Sequence, residues 1–131
     1  MDKYNLAILN LLRQNARQSW REIGSQVFLS GQAVGIRVQQ MQEQGIIKGY
    51  TVREGCEHLH FITVYMRTNA FAEFEAAVAA LASVQEAYKV SGEACYQLVV
   101  RCASAAELED ILNHIAPFGT YKVASALSAV K

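Results

Sequence analysis

No stretch of this 131-residue sequence is apolar for long enough to span a bilayer. Cysteine is sparse: Cys56, Cys95 and Cys102 form an odd set with no CxxC spacing, which argues against a disulfide framework. The three histidines, His58, His60 and His114, are scattered. Cys56, His58 and His60 alternate and would share one face of an extended strand, but no fourth ligand for a zinc ion is at hand. No nucleophile–base pair is visible either, so no enzyme, metal or cofactor is read from these residues. A surplus of charge of either sign is also missing, since twelve Lys and Arg balance twelve Asp and Glu. At 52% hydrophobic and 18% charged residues, the chain reads as globular and not as disordered. Asp2 and Lys3 lead directly into a helical pattern, so no signal peptide is expected, and a cytoplasmic location with no membrane partner follows.

What is present is concentrated in residues 19–49. Ser19 followed three residues later by Glu22 is a capping-box signal for a helix start. Ile23 and Val27, four apart, would share one buried face. Phe28-Leu29 reads as a turn and Ser30 as a second N-cap. Val34, Val38 and Met41 then fall at i, i+4 and i+7. Gly45 stands where a left-handed residue ends a helix. Ile46 and Ile47 open a β-branched run into Tyr50, Thr51 and Val52, which predicts a strand over residues 49–53. A first helix from Asp2 to Asn15, on the stripe Tyr4, Ile8, Leu9 and Leu12, precedes all of this. The order is that of a winged helix-turn-helix, whose second helix of the pair enters a DNA major groove.

The charge distribution agrees. Residues 1–56 hold seven Lys/Arg against four acids, a net of +3, and residues 57–131 hold five against eight, a net of −3. The residues read as touching double-stranded DNA are Ser30, Gln32, Arg37 and Gln40, with Lys48 and Arg21 on phosphates. Arg37 has an alternative reading, as a helix-flank arginine paired with Glu43 or another acid. Trp20 reads as core. Gly35, inside the second helix of the pair, costs about 1 kcal/mol against alanine, so that helix must draw on packing or on DNA to order.

Residues 1–54 form the first domain on this reading, 55–59 a short linker and 60–131 a second domain. From His60 the period becomes two, and Ile62, Val64 and Met66 mark a strand. Phe71, Phe74, Val78 and Leu81 recur at helical spacing. A strand over residues 84–90, a hairpin turn at Ser91-Gly92-Glu93-Ala94, and a strand marked by Tyr96, Leu98, Val100 and Cys102 follow. Leu108, Ile111, Leu112 and Ile115 mark a second helix that Pro117 and Gly119 end. Val123, Ser125, Leu127 and Ala129 mark a last strand. The fold class is therefore α+β: a winged helix-turn-helix followed by a ferredoxin-like βαββαβ domain. The sheet face away from the helices is expected to form a homodimer, with Tyr65 and Tyr96 on it.

Both halves together resemble the Lrp/AsnC family of feast/famine regulators. In the first half the resemblance rests on Leu29-Ser30, Arg37-Val38 and Gly45-Ile46-Ile47-Lys48-Gly49-Tyr50-Thr51. In the second it rests on Val90-Ser91-Gly92 followed by Tyr96, where the family shows Gly-Asp-x-Asp-Tyr, and on the ending Val130-Lys131. Gly92-Glu93-Ala94-Cys95-Tyr96 and Ala116-Pro117-Phe118 are similar to the LrpC-type members. The resemblance implies a transcriptional regulator that binds DNA through its first domain, dimerises through the second and assembles into rings, often octamers. It also implies an amino-acid effector near the hairpin, and so gives Gly92, Glu93, Cys95 and Tyr96 as effector-binding residues.

The chain departs from the family at several of these positions. Ile36, Gln39 and Gln40 stand where the family is commonly basic, and Phe28 replaces a turn glycine. Glu93 and Cys95 occupy positions often held by aspartate. Low charge on the recognition helix leaves an alternative open, an architectural protein that bends or wraps DNA without an effector. A remoter alternative is an enzyme like the siroheme decarboxylases, which share the two-domain layout and for which His58, His60 and Arg67 are available.

Overall fold

The structure is a computed structural model that describes residues 1–131. The chain forms two compact units, Met1–Arg53 and Glu54–Lys131.

The first unit holds three helices: α1 (Lys3–Gln14), α2 (Trp20–Val27) and α3 (Gly31–Glu43). Each begins on a side-chain cap that satisfies a backbone N–H left over in the first turn. Asp2 accepts from the Asn5 amide, Ser19 from Glu22 and Ser30 from Ala33. Ile8, Leu9, Ile23, Val27, Val34, Val38 and Met41 meet in one core. A fully buried aliphatic side chain contributes about 1.5–3 kcal/mol, so this small core is the main force holding three short helices. α3 ends at Gly45, whose φ of +76° lets its amide reach the Gln42 carbonyl while the Ile46 amide reaches Met41, a Schellman stop.

The strand expected over residues 49–53 is not formed; these residues carry no regular structure. A β-ladder needs a partner strand, and the rest of this unit is helical or turn. The helix-turn-helix is therefore present without a β-wing.

The second unit contains β1 (Leu59–Met66), α4 (Phe71–Ala79), β2 (Val84–Lys89), β3 (Tyr96–Arg101), α5 (Ala105–Ile115) and β4 (Gly119–Ser125). The sheet order is β2-β3-β1-β4, with every neighbour antiparallel. Ile62 and Val64 of β1 lie opposite Leu98 and Tyr96 of β3. Together with Val100 they bury one sheet face under Phe74, Val78, Ile111 and Ile115 of the two helices. Phe61, Thr63, Tyr65, Gln97 and Val99 take the alternate positions and form the other face.

Tyr96 corrects one expectation. It is on the helix-covered face, only 3% exposed, and not on the open one. The alternation that marks the strand already groups it with Leu98 and Val100. Tyr65 is on the open face, opposite Thr120. The last strand is also displaced. It starts at Gly119 and not at Val123, because β4 pairs with β1 from Gly119↔Met66 to Ser125↔His60. Leu127 and Val130 lie beyond that register and are almost fully exposed. The residues read as linker are tied to β3: Arg101 donates to the Gly55 and Glu57 carbonyls, at 2.7 and 3.2 Å, and stands 3.4 Å from the Glu54 carboxylate. β1 begins at Leu59, inside the stretch read as linker.

Candidate nucleic-acid interface

The geometry of α3 follows from which of its residues are buried. Val34, Gly35, Val38 and Met41 face the core. At about 100° per residue the opposite stripe is Gln32, Ile36, Gln39, Gln40 and Glu43, and all five are exposed. Ile36 is at its centre and half-exposed. Gly35 explains itself here. The Trp20 ring lies against it, and a Cβ at Gly35 would stand 2.5 Å from a ring carbon. The helix forgoes alanine so that α2 and α3 can approach. Trp20 is still half-exposed and is not a core residue.

Of the six DNA-contact candidates, five are exposed and one, Arg37, is tied to α1. Arg21 is in the first turn of α2, Ser30 caps α3, Gln32 and Gln40 are on the outward stripe, and Lys48 follows the Schellman stop. No carboxylate comes within ion-pair distance of Arg21 or Lys48. Arg37 faces α1 instead. It donates to the Asp2 carboxylate at 2.6 Å and to the Asn5 side chain at 3.2 Å, and its guanidinium lies 5.0 Å from the centre of the Tyr4 ring. The alternative reading of Arg37 as a paired arginine therefore describes its place, with Asp2 and not Glu43 as the acid. The Arg37 hydrogen bond is the main cause holding the Asp2 carboxyl below its ordinary range, the Asn5 amide adding to it. Phe28 ends α2 in the left-handed region, at φ +63°, with its ring 91% exposed.

In the second unit the four effector candidates are not gathered into one site. Gly92 has φ +104° at the hairpin tip and Glu93 is exposed beside it. Cys95 turns inward against the core. Tyr96 is buried, and its hydroxyl donates to Glu75 of α4 at 2.6 Å. Burial first, and then that bond to a carboxylate, push the Tyr96 phenol up to about 12, while the same bond lowers Glu75. Lys89 stands 3.5 Å from the Glu75 carboxylate and above the rings of Phe71 and Tyr96. Glu75, Glu86 and Lys89 rim a groove of about 410 Å³ floored by Phe74, Val78 and Val84. Glu75 and Lys89 were not singled out from sequence. The available signal was Tyr96 itself, because a buried tyrosine hydroxyl needs a partner.

The residues considered for an enzyme or a zinc ion are placed apart. His58 is left-handed, at φ +62°, so Cys56, His58 and His60 do not alternate along a strand. His60, near one end of β1, has Nδ1 2.7 Å from the Ser125 hydroxyl. Arg67 follows the other end, about 23 Å away at the usual strand rise.

Residues 59–131 match the Lrp/AsnC ligand binding domain, and residues 1–42 match the AsnC-type helix-turn-helix domain. The chain belongs to the Lrp/AsnC family. Among its relatives is the transcriptional regulator LrpB of Bacillus subtilis, 34% identical over all of this chain and 91% of that protein. LrpC of the same organism is 28% identical over 90% of this chain and 85% of its own length. The solved LrpC structure superposes with a TM-score of 0.82 at 26% identity, covering 100% of this chain and 97% of LrpC. A Neisseria meningitidis regulator solved as a complex with L-methionine has the same fold, with a TM-score of 0.80 at 22% identity, covering 100% of this chain and 92% of that one.

Within the Lrp/AsnC frame the function of the chain is that of a DNA-binding helix-turn-helix transcriptional regulator. The two matched modules coincide with the three-helix unit and with the sheet unit from β1 onward. No helix is long and apolar enough to cross a membrane.

Proposed function

We propose that this Lrp/AsnC regulator docks the outward stripe of α3 in the major groove of double-stranded DNA, in the cytoplasm. Gln32 and Gln40 face the bases, and Ser30, Arg21 and Lys48 face the backbone. The observation that carries this is the combination of an outward stripe on α3 that exposes Gln32, Gln39 and Gln40 with flanking cations that have no acid partner in the chain. Phosphate contacts give affinity and base contacts give sequence preference.

The open sheet face supports a homodimer between second units, and the family resemblance supports further assembly to an octamer. Phe61, Tyr65 and Val99 on that face are half-buried with no helix of their own unit over them. For the effector we infer an amino acid held at the α4–β2 groove, which Lys89 and Tyr96 close where the hairpin of Gly92, Glu93 and Cys95 begins. Glu75 and Lys89 offer one carboxylate and one ammonium, the complements of an amino acid's two ends.

The test is a titration of the wild type, Gln40→Ala and Lys48→Ala against the protein's own promoter and an unrelated fragment at two salt concentrations. Preference for the promoter that Gln40→Ala loses supports the reading. Lys48→Ala should weaken both complexes alike and flatten the salt slope by about one unit. A second reading, DNA wrapping with little base readout, is favoured by the commitment of Arg37 to α1. Equal, steeply salt-dependent binding to both fragments would select it.

A further inference from the structure

α3 contains a single basic residue, Arg37, and that residue is held by Asp2, Asn5 and the Tyr4 ring. The commonest specific contact in a major groove, a bidentate Arg or Lys on guanine, therefore has no donor on the outward stripe of α3. What stands there instead is Gln32, Ile36, Gln39 and Gln40. A glutamine amide matches the paired acceptor and donor of adenine, and an apolar side chain matches the methyl group of thymine. Gln32, Ile36 and Gln40 are spaced four residues apart. That stripe is about 12 Å long at the helical rise and spans three to four base pairs at about 3.4 Å per step. Ile36 is at its middle, half-exposed, with no apolar partner required of it by the core. Gln32 and Ile36 are in the N-terminal half of α3, the part of a recognition helix that meets base edges.

We propose that α3 is a reader of adenine–thymine pairs, with Gln32 and Gln40 on adenine and Ile36 packed on thymine methyl groups. This rests on the DNA-binding reading above and names which bases that interface selects. Arg37 acts as a brace between α1 and α3 and is not a base reader.

The experiment is selection of binding sites from random duplexes by the full-length protein, followed by replacement of the selected thymines with deoxyuridine. Selection should enrich A·T pairs under α3. Deoxyuridine removes only the thymine methyl and should weaken wild-type binding about fourfold per contacted base, the factor for one buried methyl group. Ile36→Ala, at a half-exposed position, should fold normally and should bind the thymine and uracil duplexes equally. Gln40→Ala should relax the adenine preference by between about fivefold and 140-fold at one position. Enrichment of G·C pairs, or uracil duplexes bound as tightly as thymine ones, would overturn the proposal while leaving DNA binding intact. Failure to bind any duplex would overturn the DNA reading itself, and this assignment with it.

Discussion

The two units of this chain leave different things unsatisfied. Met1–Arg53 carries seven Lys and Arg against three acids, and six of the seven cations have no carboxylate within ion-pair distance. Glu54–Lys131 carries five against nine, and Lys89 and Arg101 are paired to acids of their own unit. Its surplus is apolar area on one sheet face. Leftover cations call for a polyanion, and leftover sheet calls for another protein surface. The same division shows in stability. The second unit encloses ten buried core residues including Phe74, whereas the first encloses seven and no aromatic. The smaller unit therefore depends more on caps and on single tight contacts.

The largest effect should come from the core of the second unit. Phe74→Ala removes a ring that is 1% exposed and packs against Tyr96 and Phe118. Urea denaturation should show a loss of about 3–5 kcal/mol. In the first unit, Gly35→Ala should cost about 1–3 kcal/mol by driving a methyl group into Trp20, although an exposed helix would gain from the same change. Thermal melts of Gly35→Ala in a Trp20→Ala background should recover that loss. If the single variant is as stable as the wild type, the dependence of this unit on tight contacts is refuted.

Tyr96→Phe should cost about 1 kcal/mol through the lost bond to Glu75. It also has a pH signature. The folded phenol is raised to about 12, so its contribution is complete below the unfolded value of about 10 and is lost as pH rises toward the folded one. The alkaline end of the stability profile should flatten in the variant. Phe28→Gly should stabilise the first unit by about 0.5–1 kcal/mol, because a left-handed non-glycine residue carries strain and its exposed ring gives no packing in return. The smallest effect should be Asp2→Asn. Asp2 is lowered by Arg37, so its contribution is present above the unfolded value of about 3.9 and disappears as pH falls toward the folded value. Wild type and variant should converge in acid, as calorimetry can follow.

What was legible in the sequence was what is local. Ser19, Ser30 and Gly45 mark their helix ends within three or four residues of the groups they cap. The alternation of Ile62 and Val64 and of Leu98 and Val100 orders the sheet because one face is buried. What was not legible depends on partners far along the chain. Asp2 and Arg37 are 35 residues apart, and nothing near either announces the pair. The wing strand is absent because β-branched composition measures willingness to pair and not the presence of a partner. The register of β4 is hidden because nearly all of its residues are exposed, so no buried face marks it, and the pairing is fixed from β1. The outward stripe of α3 was half legible. Its glutamines were visible, but Ile36 gains meaning only when the buried face is known.

Trp20 is the chain's only tryptophan, and its indole rests on the backbone of α3 one residue from Ile36. The molecule thereby carries a native fluorophore at the joint between the two helices of its DNA-reading motif. Emission from the unlabelled protein reports how α3 is seated, and half of the ring faces solvent, where a bound duplex or a collisional quencher would alter the signal. Docking, loosening and recovery of the recognition helix become observable in real time without altering a residue.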